Sequence, residues 1–114
     1  MLDGLNEAER EQVRRALVAA VEGPFFPEWE FRILFGVDRS AVRAALTAFP
    51  RLSPRDQDQF LSVNNSLFML GSYPHEPEAD FERYGVRRAD IRRVHKKLRQ
   101  ALGLATAKFL DNLE

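Results

Sequence analysis

Two stretches of sequence decide the fold, FGVDRSAVRAAL at residues 35–46 and YGVRRADIRRVH at residues 84–95. Each begins with an aromatic residue followed by Gly-Val, and each continues into an amphipathic segment rich in arginine, alanine and branched apolar residues. A glycine followed by an apolar residue is a common helix end, and a polar residue after it can begin the next helix. Both stretches therefore predict two consecutive helices joined by a tight turn.

The sequence on either side of these stretches carries further helix signals, and no segment shows the sustained alternation typical of a strand. The predicted helix starts are Asn6 (with Glu9 completing a capping box), Pro27, Asp38, Ser53-Pro54, Pro77 and about Arg88. The predicted ends are Gly23-Pro24, Phe35-Gly36, Pro50, about Leu70, Tyr84-Gly85 and about Leu102. We expect Gly23 to form a left-handed cap, and Gly103 to break or bend the last helix. The predicted fold class is all-α, a compact bundle of six or seven helices.

The two halves of the chain resemble each other. A shift of 49 residues aligns the two stretches quoted above, and a shift of 50 aligns the residues before them. The pairs at a shift of 50 are Val13 with Val63, Leu17 with Leu67, Pro24 with Pro74 and Pro27 with Pro77. We expect residues 1–114 to form a single helical domain, built from an internal repeat of residues 5–50 and 54–102, each a three-helix unit. The alternative is that any two well-capped helical hairpins look alike.

Composition limits the compartment and the chemistry. The chain has 114 residues, a net charge of zero and no cysteine, so disulfides, thiolate nucleophiles and cysteine-based zinc sites are excluded. The first residues lack the basic and apolar segments of a secretory signal, and no apolar run has the ~18 residues of a membrane span. We expect a cytoplasmic protein. Of the 17 basic residues 14 are arginine, a bias that suggests a GC-rich bacterial genome.

The first candidate site is the aromatic segment GPFFPEWEF at residues 23–31. Aromatic side chains that are exposed together supply much of the binding energy of protein interfaces. The segment and its counterpart in the second half, residues 72–77, predict a protein-binding surface. Its candidate residues are Phe25, Phe26, Trp29, Tyr73 and His75. The alternative is that these aromatic residues fill the space between the long helices.

A second candidate site lies inside the fourth predicted helix, where the sequence is SVNNS at residues 62–66. Asparagine and serine are mediocre helix formers because they compete for backbone hydrogen bonds. Asn64 and Asn65 are candidates for a polar pocket shared with Tyr73 and His75. The alternative is a structural role, in which a buried asparagine bonds to neighbouring polar groups.

The third candidate is the basic sixth helix, which resembles the recognition helix of a helix-turn-helix in its glycine, apolar residue and polar cap. From residue 83 to residue 99 there are eight bases and one acid. The residues that would contact phosphates are Arg87, Arg88, Arg92, Arg93 and Lys96. The alternative is a basic helix that is solvated or paired within the protein.

No motif of an enzyme is present, and His75 and His95 are the only histidines. We therefore expect no catalytic residues, no metal and no cofactor. The predicted function is a non-catalytic bacterial protein-binding domain of the adaptor, regulator or toxin-immunity type. Its partner is another protein or a second copy of the chain as a homodimer, and no membrane. The alternative function is nucleic-acid binding through the basic helix at residues 87–99.

Overall fold

The computed structural model describes residues 1–72 and 78–111, and the side chains of residues 1–72 and 79–102. This part of the chain contains six helices and no strand. The helices are α1 (Glu7–Glu22), α2 (Glu28–Phe35), α3 (Arg39–Ala48), α4 (Gln57–Ser72), α5 (Glu78–Arg83) and α6 (Arg88–Asp111). The predicted all-α bundle is confirmed.

Helix α4 lies at the centre of the bundle, where it packs against α1, α2, α3 and α6. Each long helix turns one apolar stripe inward, with residues three and four positions apart on the same face. The fully buried large side chains of the core are Val13, Leu17, Phe31, Phe35, Val42, Val63, Leu67, Leu70, Ile91, Val94 and Leu98.

Several predicted helix ends are confirmed in detail. The Asn6 side chain accepts from the Glu9 N–H, and the Glu9 carboxylate accepts from the Asn6 N–H, both at 2.8 Å. Gly36 ends α2 in the left-handed region, with φ of 72°. Gly23 also ends a helix, but the predicted left-handed cap is wrong, because its φ is −80°. A Cβ at Gly23 would lie 2.5 Å from the Ala19 carbonyl oxygen and 2.7 Å from the Phe25 ring, so lack of space explains the glycine there.

Other boundaries differ from the prediction. Helix α4 begins at Gln57, because the Asp56 carboxylate caps it by accepting from the Gln59 N–H, while the Ser53 hydroxyl accepts from the Arg55 N–H in the preceding turn. Helix α6 continues through position 103 to Asp111 without the predicted break. Asp38 is at the N-cap position of α3, but its carboxylate makes no capping bond.

The side chain of Arg39 joins three segments of the first half. One terminal nitrogen, Nη1, donates to the carbonyls of Ala20 and Val21 at the end of α1, each at 2.9 Å. The other, Nη2, donates to the carbonyl of Phe26 at 2.7 Å. The guanidinium lies 4.3 Å from the centre of the Phe31 ring, a distance typical of cation–π contact. One arginine thus satisfies carbonyls that a helix end leaves without partners and fixes α2 against α1.

Arg88 makes a matching set of contacts in the second half. Its Nε and Nη2 atoms donate to the carbonyls of Leu70 and Gly71 at 3.0 and 3.3 Å, at the end of α4. Its guanidinium lies 5.1 Å from the centre of the Phe81 ring. Gly85, three residues earlier, has a φ of 68°, like Gly36 before Arg39. The two glycines and the two arginines are each 49 residues apart, and the two phenylalanines are 50 residues apart, as in the sequence alignment. The internal repeat itself stays a prediction.

Replacement of Arg39 tests its importance for the fold. We expect Arg39→Met to lower the free energy of unfolding by roughly 3 kcal/mol, since three carbonyls lose a charged donor while the apolar stem is kept. The loss is measured by urea denaturation followed by circular dichroism. Arg43→Met, on the exposed face of the same helix, is the matched control and should change stability by less than about 0.5 kcal/mol. Equal losses in both variants would contradict the assignment.

Two serines of α4, Ser62 and Ser66, are fully buried. Within the part of the chain that the structure describes, their hydroxyl oxygens have no hydrogen-bond partner. A buried hydroxyl without a partner costs desolvation free energy and gains nothing in return. Their small size is therefore the property that the packing uses.

We expect Ser66→Ala to leave the free energy of unfolding unchanged or to raise it by up to about 1 kcal/mol. Ser53→Ala is the comparison, because the Ser53 hydroxyl accepts from the Arg55 N–H at 3.2 Å in a turn. That variant should lose stability. Thermal unfolding of the three proteins decides the matter, and a clear loss in Ser66→Ala would refute the interpretation.

Candidate protein-binding surface

Helix α2 has one buried and one exposed apolar face. The Phe31 and Phe35 rings stack at 4.1 Å between centres, nearly parallel, and are buried in the core. Trp29 and Ile33, also four residues apart, point the other way and are 76% and 78% exposed. Residues at this spacing lie side by side on a helix surface. We call the pair of Trp29 and Ile33 the α2 ridge.

The structure corrects part of the predicted aromatic surface. Phe25 and Phe26 are buried in the core, so a partner cannot reach them. The Phe25 ring lies 4.7 Å from that of Phe81, and the Phe26 ring meets Phe35 edge to face at 4.9 Å. Among the members of the predicted set that the structure describes, Trp29 is the exposed one. Tyr73 and His75 lie outside the described residues.

Charged side chains surround the α2 ridge. Arg32, between the two ridge residues in sequence, donates to the Asp38 carboxylate at 3.3 and 3.4 Å, and both side chains are mostly exposed. Glu28 accepts from Arg39 Nε at 2.7 Å. Such exposed pairs contribute little to stability. The Arg39 side chain is directed inward and is only 15% exposed, so the outward-facing charged groups here are those of Glu28, Arg32 and Asp38.

Next to the ridge is a shallow groove of about 350 Å³. Arg32 lines both the groove and the edge of the ridge. The other lining residues are Gly36, Val37, Asp38, Ser40, Ala41 and Asp58. Asp58 is exposed at the start of α4, and no basic side chain of the described residues lies within ion-pair distance of it. The groove therefore holds two carboxylates and one guanidinium.

The predicted polar pair, Asn64 and Asn65, takes part in a chain of hydrogen bonds. Asn65 Nδ2 donates to the carbonyl of Phe35 at 2.7 Å, at the end of α2. Asn64 Nδ2 donates to Asn65 Oδ1 at 3.1 Å, and Asn64 Oδ1 lies 2.9 Å from His95 Nε2. The amide orientation makes His95 Nε2 the donor. The two asparagines thus connect α6 through α4 to α2. The pocket predicted with Tyr73 and His75 stays a prediction.

His95 is buried beside Phe68, whose ring it meets edge to face at 6.0 Å between centres. Burial, and to a lesser degree the positive charge of Arg99, lowers the pKa of His95 to about 4. Burial is the larger of the two causes. At neutral pH the side chain is uncharged, as its position among apolar residues requires.

The basic face of α6 is partly used by the fold. Arg88 bonds the last carbonyls of α4, and Arg92 Nη1 donates to Gly71 at 2.9 Å. Arg93 forms an ion pair with Asp90 on the same helix. Arg87 and Lys96 are exposed. The expectation that all five bases contact phosphates therefore needs correction for Arg88, which is half-buried and bound internally.

Sequence reasoning did not identify Ile33 as a site residue. Helix α2 contains two pairs of large apolar residues, and the members of each pair are four positions apart. Trp29 and Ile33 lie on one side of the helix, and Phe31 and Phe35 lie on the other. Eight residues give both faces the same apolar spacing, so periodicity could not say which face is buried. In the folded protein Arg39 lies over Phe31, and the face of α2 that carries Phe31 is the buried one.

Searches of known proteins add no relative: no protein-family model, curated protein or solved structure matches this chain. Among the described residues, no group of three histidine or acidic side chains is placed to hold a metal ion. None of the helices, over the same residues, is both long enough and apolar enough to cross a bilayer.

The depressed pKa of His95 predicts how stability depends on pH. The unfolded histidine titrates near pH 6.5, so between about pH 6.5 and 4 the unfolded chain binds one more proton than the folded chain. Above about pH 6.5 the titration of His95 does not reduce the free energy of unfolding. It falls by at most about 1.4 kcal/mol per pH unit through this group as the pH drops toward 4.

We expect His95→Gln to remove this contribution, because glutamine keeps an N–H donor for Asn64 and does not titrate. Urea denaturation of both proteins between about pH 4.5 and pH 7 measures the difference in slope. His75 is present in both proteins, so it does not contribute to the difference between their slopes. Parallel stability curves over this range would show that His95 is not the group responsible.

Proposed function

We propose that this chain is a non-catalytic protein-binding domain of the bacterial cytoplasm, of the adaptor, regulator or toxin-immunity type, and that it binds its partner through the α2 ridge. The observation that carries the proposal is the exposure of Trp29 and Ile33 side by side on one helix. Tryptophan is among the residues that contribute most to binding energy at protein interfaces. A single exposed apolar residue would need no explanation, but two adjacent large ones do.

A comparison of α2 with α5 supports the same proposal. Both helices place a phenylalanine, Phe31 or Phe81, beneath an arginine from the following helix. At the shift of 50 residues the counterparts of Trp29 and Ile33 are Ala79 and Arg83, both exposed. If the halves are a structural repeat, as we propose, the shared packing is achieved in α5 without an apolar ridge. The ridge is then kept for something other than the fold.

The runner-up function is binding of duplex nucleic acid by α6. The exposure of Arg87, Arg93 and Lys96 favours it. Against it, Arg88 and Arg92 bind the end of α4, and the chain as a whole carries no net charge. The affinity for nucleic acid depends on the number of basic side chains that can contact phosphates, so each arginine that is bonded within the protein lowers the expected affinity.

Capture of partners from a lysate of the source organism tests the ridge. The variant is Trp29→Gln with Ile33→Gln, which should retain wild-type stability because both side chains are exposed. We expect it to lose proteins that the wild type captures, measured by quantitative mass spectrometry. The matched control is Ala79→Gln with Arg83→Gln on α5, which should capture what the wild type captures.

If the ridge variant captures the same proteins as the wild type, the proposal is refuted. A mobility-shift assay with duplex DNA at low salt provides the second comparison. Retardation of the DNA at micromolar protein that is lost in Arg93→Gln with Lys96→Gln would favour the runner-up.

A further inference from the structure

The area of the α2 ridge limits what can bind there. Helix α2 has eight residues and is about 12 Å long. A stable interface between two folded proteins buries about 800 Å² on each side, more than two side chains on one short helix can cover. A surface of this length fits a single peptide segment that places a few apolar side chains against Trp29 and Ile33.

The charges around the ridge define the rest of the partner. Helix α2 carries Glu28 and Glu30 at its first turn, and the groove beside Arg32 adds Asp38 and Asp58. Of the two arginines in this region, Arg32 points outward and Arg39 points into the protein. Glu28 is paired with Arg39 and Asp38 with Arg32, which leaves Asp58 as the groove carboxylate without an ion pair among the described residues. A basic group is the complement of this carboxylate, and an acidic one would be repelled.

The groove gives that basic group a place. Asp58 has no ion pair among the described residues, and the contact of Asp38 with Arg32 is long and exposed. A lysine or arginine in the groove would meet both carboxylates, while an apolar neighbour one helical turn away would reach the ridge. Arg32 lines the groove and is next to Ile33 and three residues after Trp29 in α2, which places the groove beside the ridge.

From these observations we infer that the partner is a basic amphipathic segment of another protein. Its apolar face covers Trp29 and Ile33, and a lysine or arginine lies between Asp38 and Asp58. This inference rests on the proposed function and specifies its partner. In this arrangement the α2 ridge supplies most of the binding free energy, and Asp38 and Asp58 supply the specificity for a basic partner.

Trp29 is the only tryptophan of the chain and reports directly on occupation of the ridge. Two synthetic amphipathic helical peptides of equal length serve as probes, one with leucine and lysine and one with leucine and glutamate. At physiological salt we expect the leucine–lysine peptide to shift the Trp29 emission to shorter wavelength in a saturable way. The leucine–glutamate peptide should cause no shift.

The charge requirement is tested with Asp38→Asn combined with Asp58→Asn. We expect this variant to bind the leucine–lysine peptide about tenfold more weakly, as the loss of two partly exposed charge pairs implies. The matched control is Asp3→Asn with Asp56→Asn, which removes the same charge from a separate cavity lined by Asp3, Arg10, Arg51 and Asp56. Its affinity should equal that of the wild type.

Three results would overturn the inference. They are equal shifts with both peptides, no shift with either, or a shift that appears on concentrating the protein alone, which would assign the ridge to a second copy of the chain. If capture from the lysate still depends on Trp29 and Ile33 in those cases, the proposed function survives without this partner. If capture does not depend on the ridge either, both fail.

Discussion

The fold depends on an arginine placed over a phenylalanine at the point where a helix ends. A helix leaves its last carbonyls without partners, and in a bundle this small those carbonyls lie close to the apolar core. Arg39 meets the end of α1 and Arg88 meets the end of α4 with a charged donor, and each guanidinium lies over an aromatic ring. The same contact sets the direction of the short helix that carries the ring. The position of α2, and with it the exposure of its outer face, follows from Arg39.

Local signals predicted the fold well where one turn of chain contains the whole interaction. The capping box of Asn6 and Glu9 and the helix end at Gly36 depend on neighbours in sequence, and both are confirmed. The left-handed cap at Gly23 is wrong, because the reason for that glycine is the space taken by the Ala19 carbonyl and the Phe25 ring. The contacts of Arg39 with residues 18 and 19 positions earlier could not be predicted, because they form only once α1 and α3 are packed together. A residue that looks like an exposed base in the sequence is therefore a structural one.

The candidate site was predicted as a region but not as a set of residues. Phe25, Phe26 and Trp29 have the same apolar character and occupy adjacent positions, and only tertiary packing separates the two that are buried from the one that is exposed. The asparagines of α4 were correctly recognised as unusual inside a helix. Their partners, Phe35 and His95, lie about 30 residues away in either direction, which no local pattern reveals. The basic helix shows the same limit, since charge alone does not distinguish a side chain that bonds a carbonyl from one that is free.

Helix α2 is held at both ends by different parts of the bundle. Arg39 donates to the carbonyl of Phe26 just before the start of the helix, and Asn65 bonds the carbonyl of Phe35 at its end, supported by Asn64 and His95. A helix fixed in this way cannot tilt or slide to fit a ligand. Its binding kinetics should therefore show one phase, with an association rate set by collision and orientation, and no slower step of rearrangement. Differences in affinity between ligands would then appear almost entirely in how long each one stays bound.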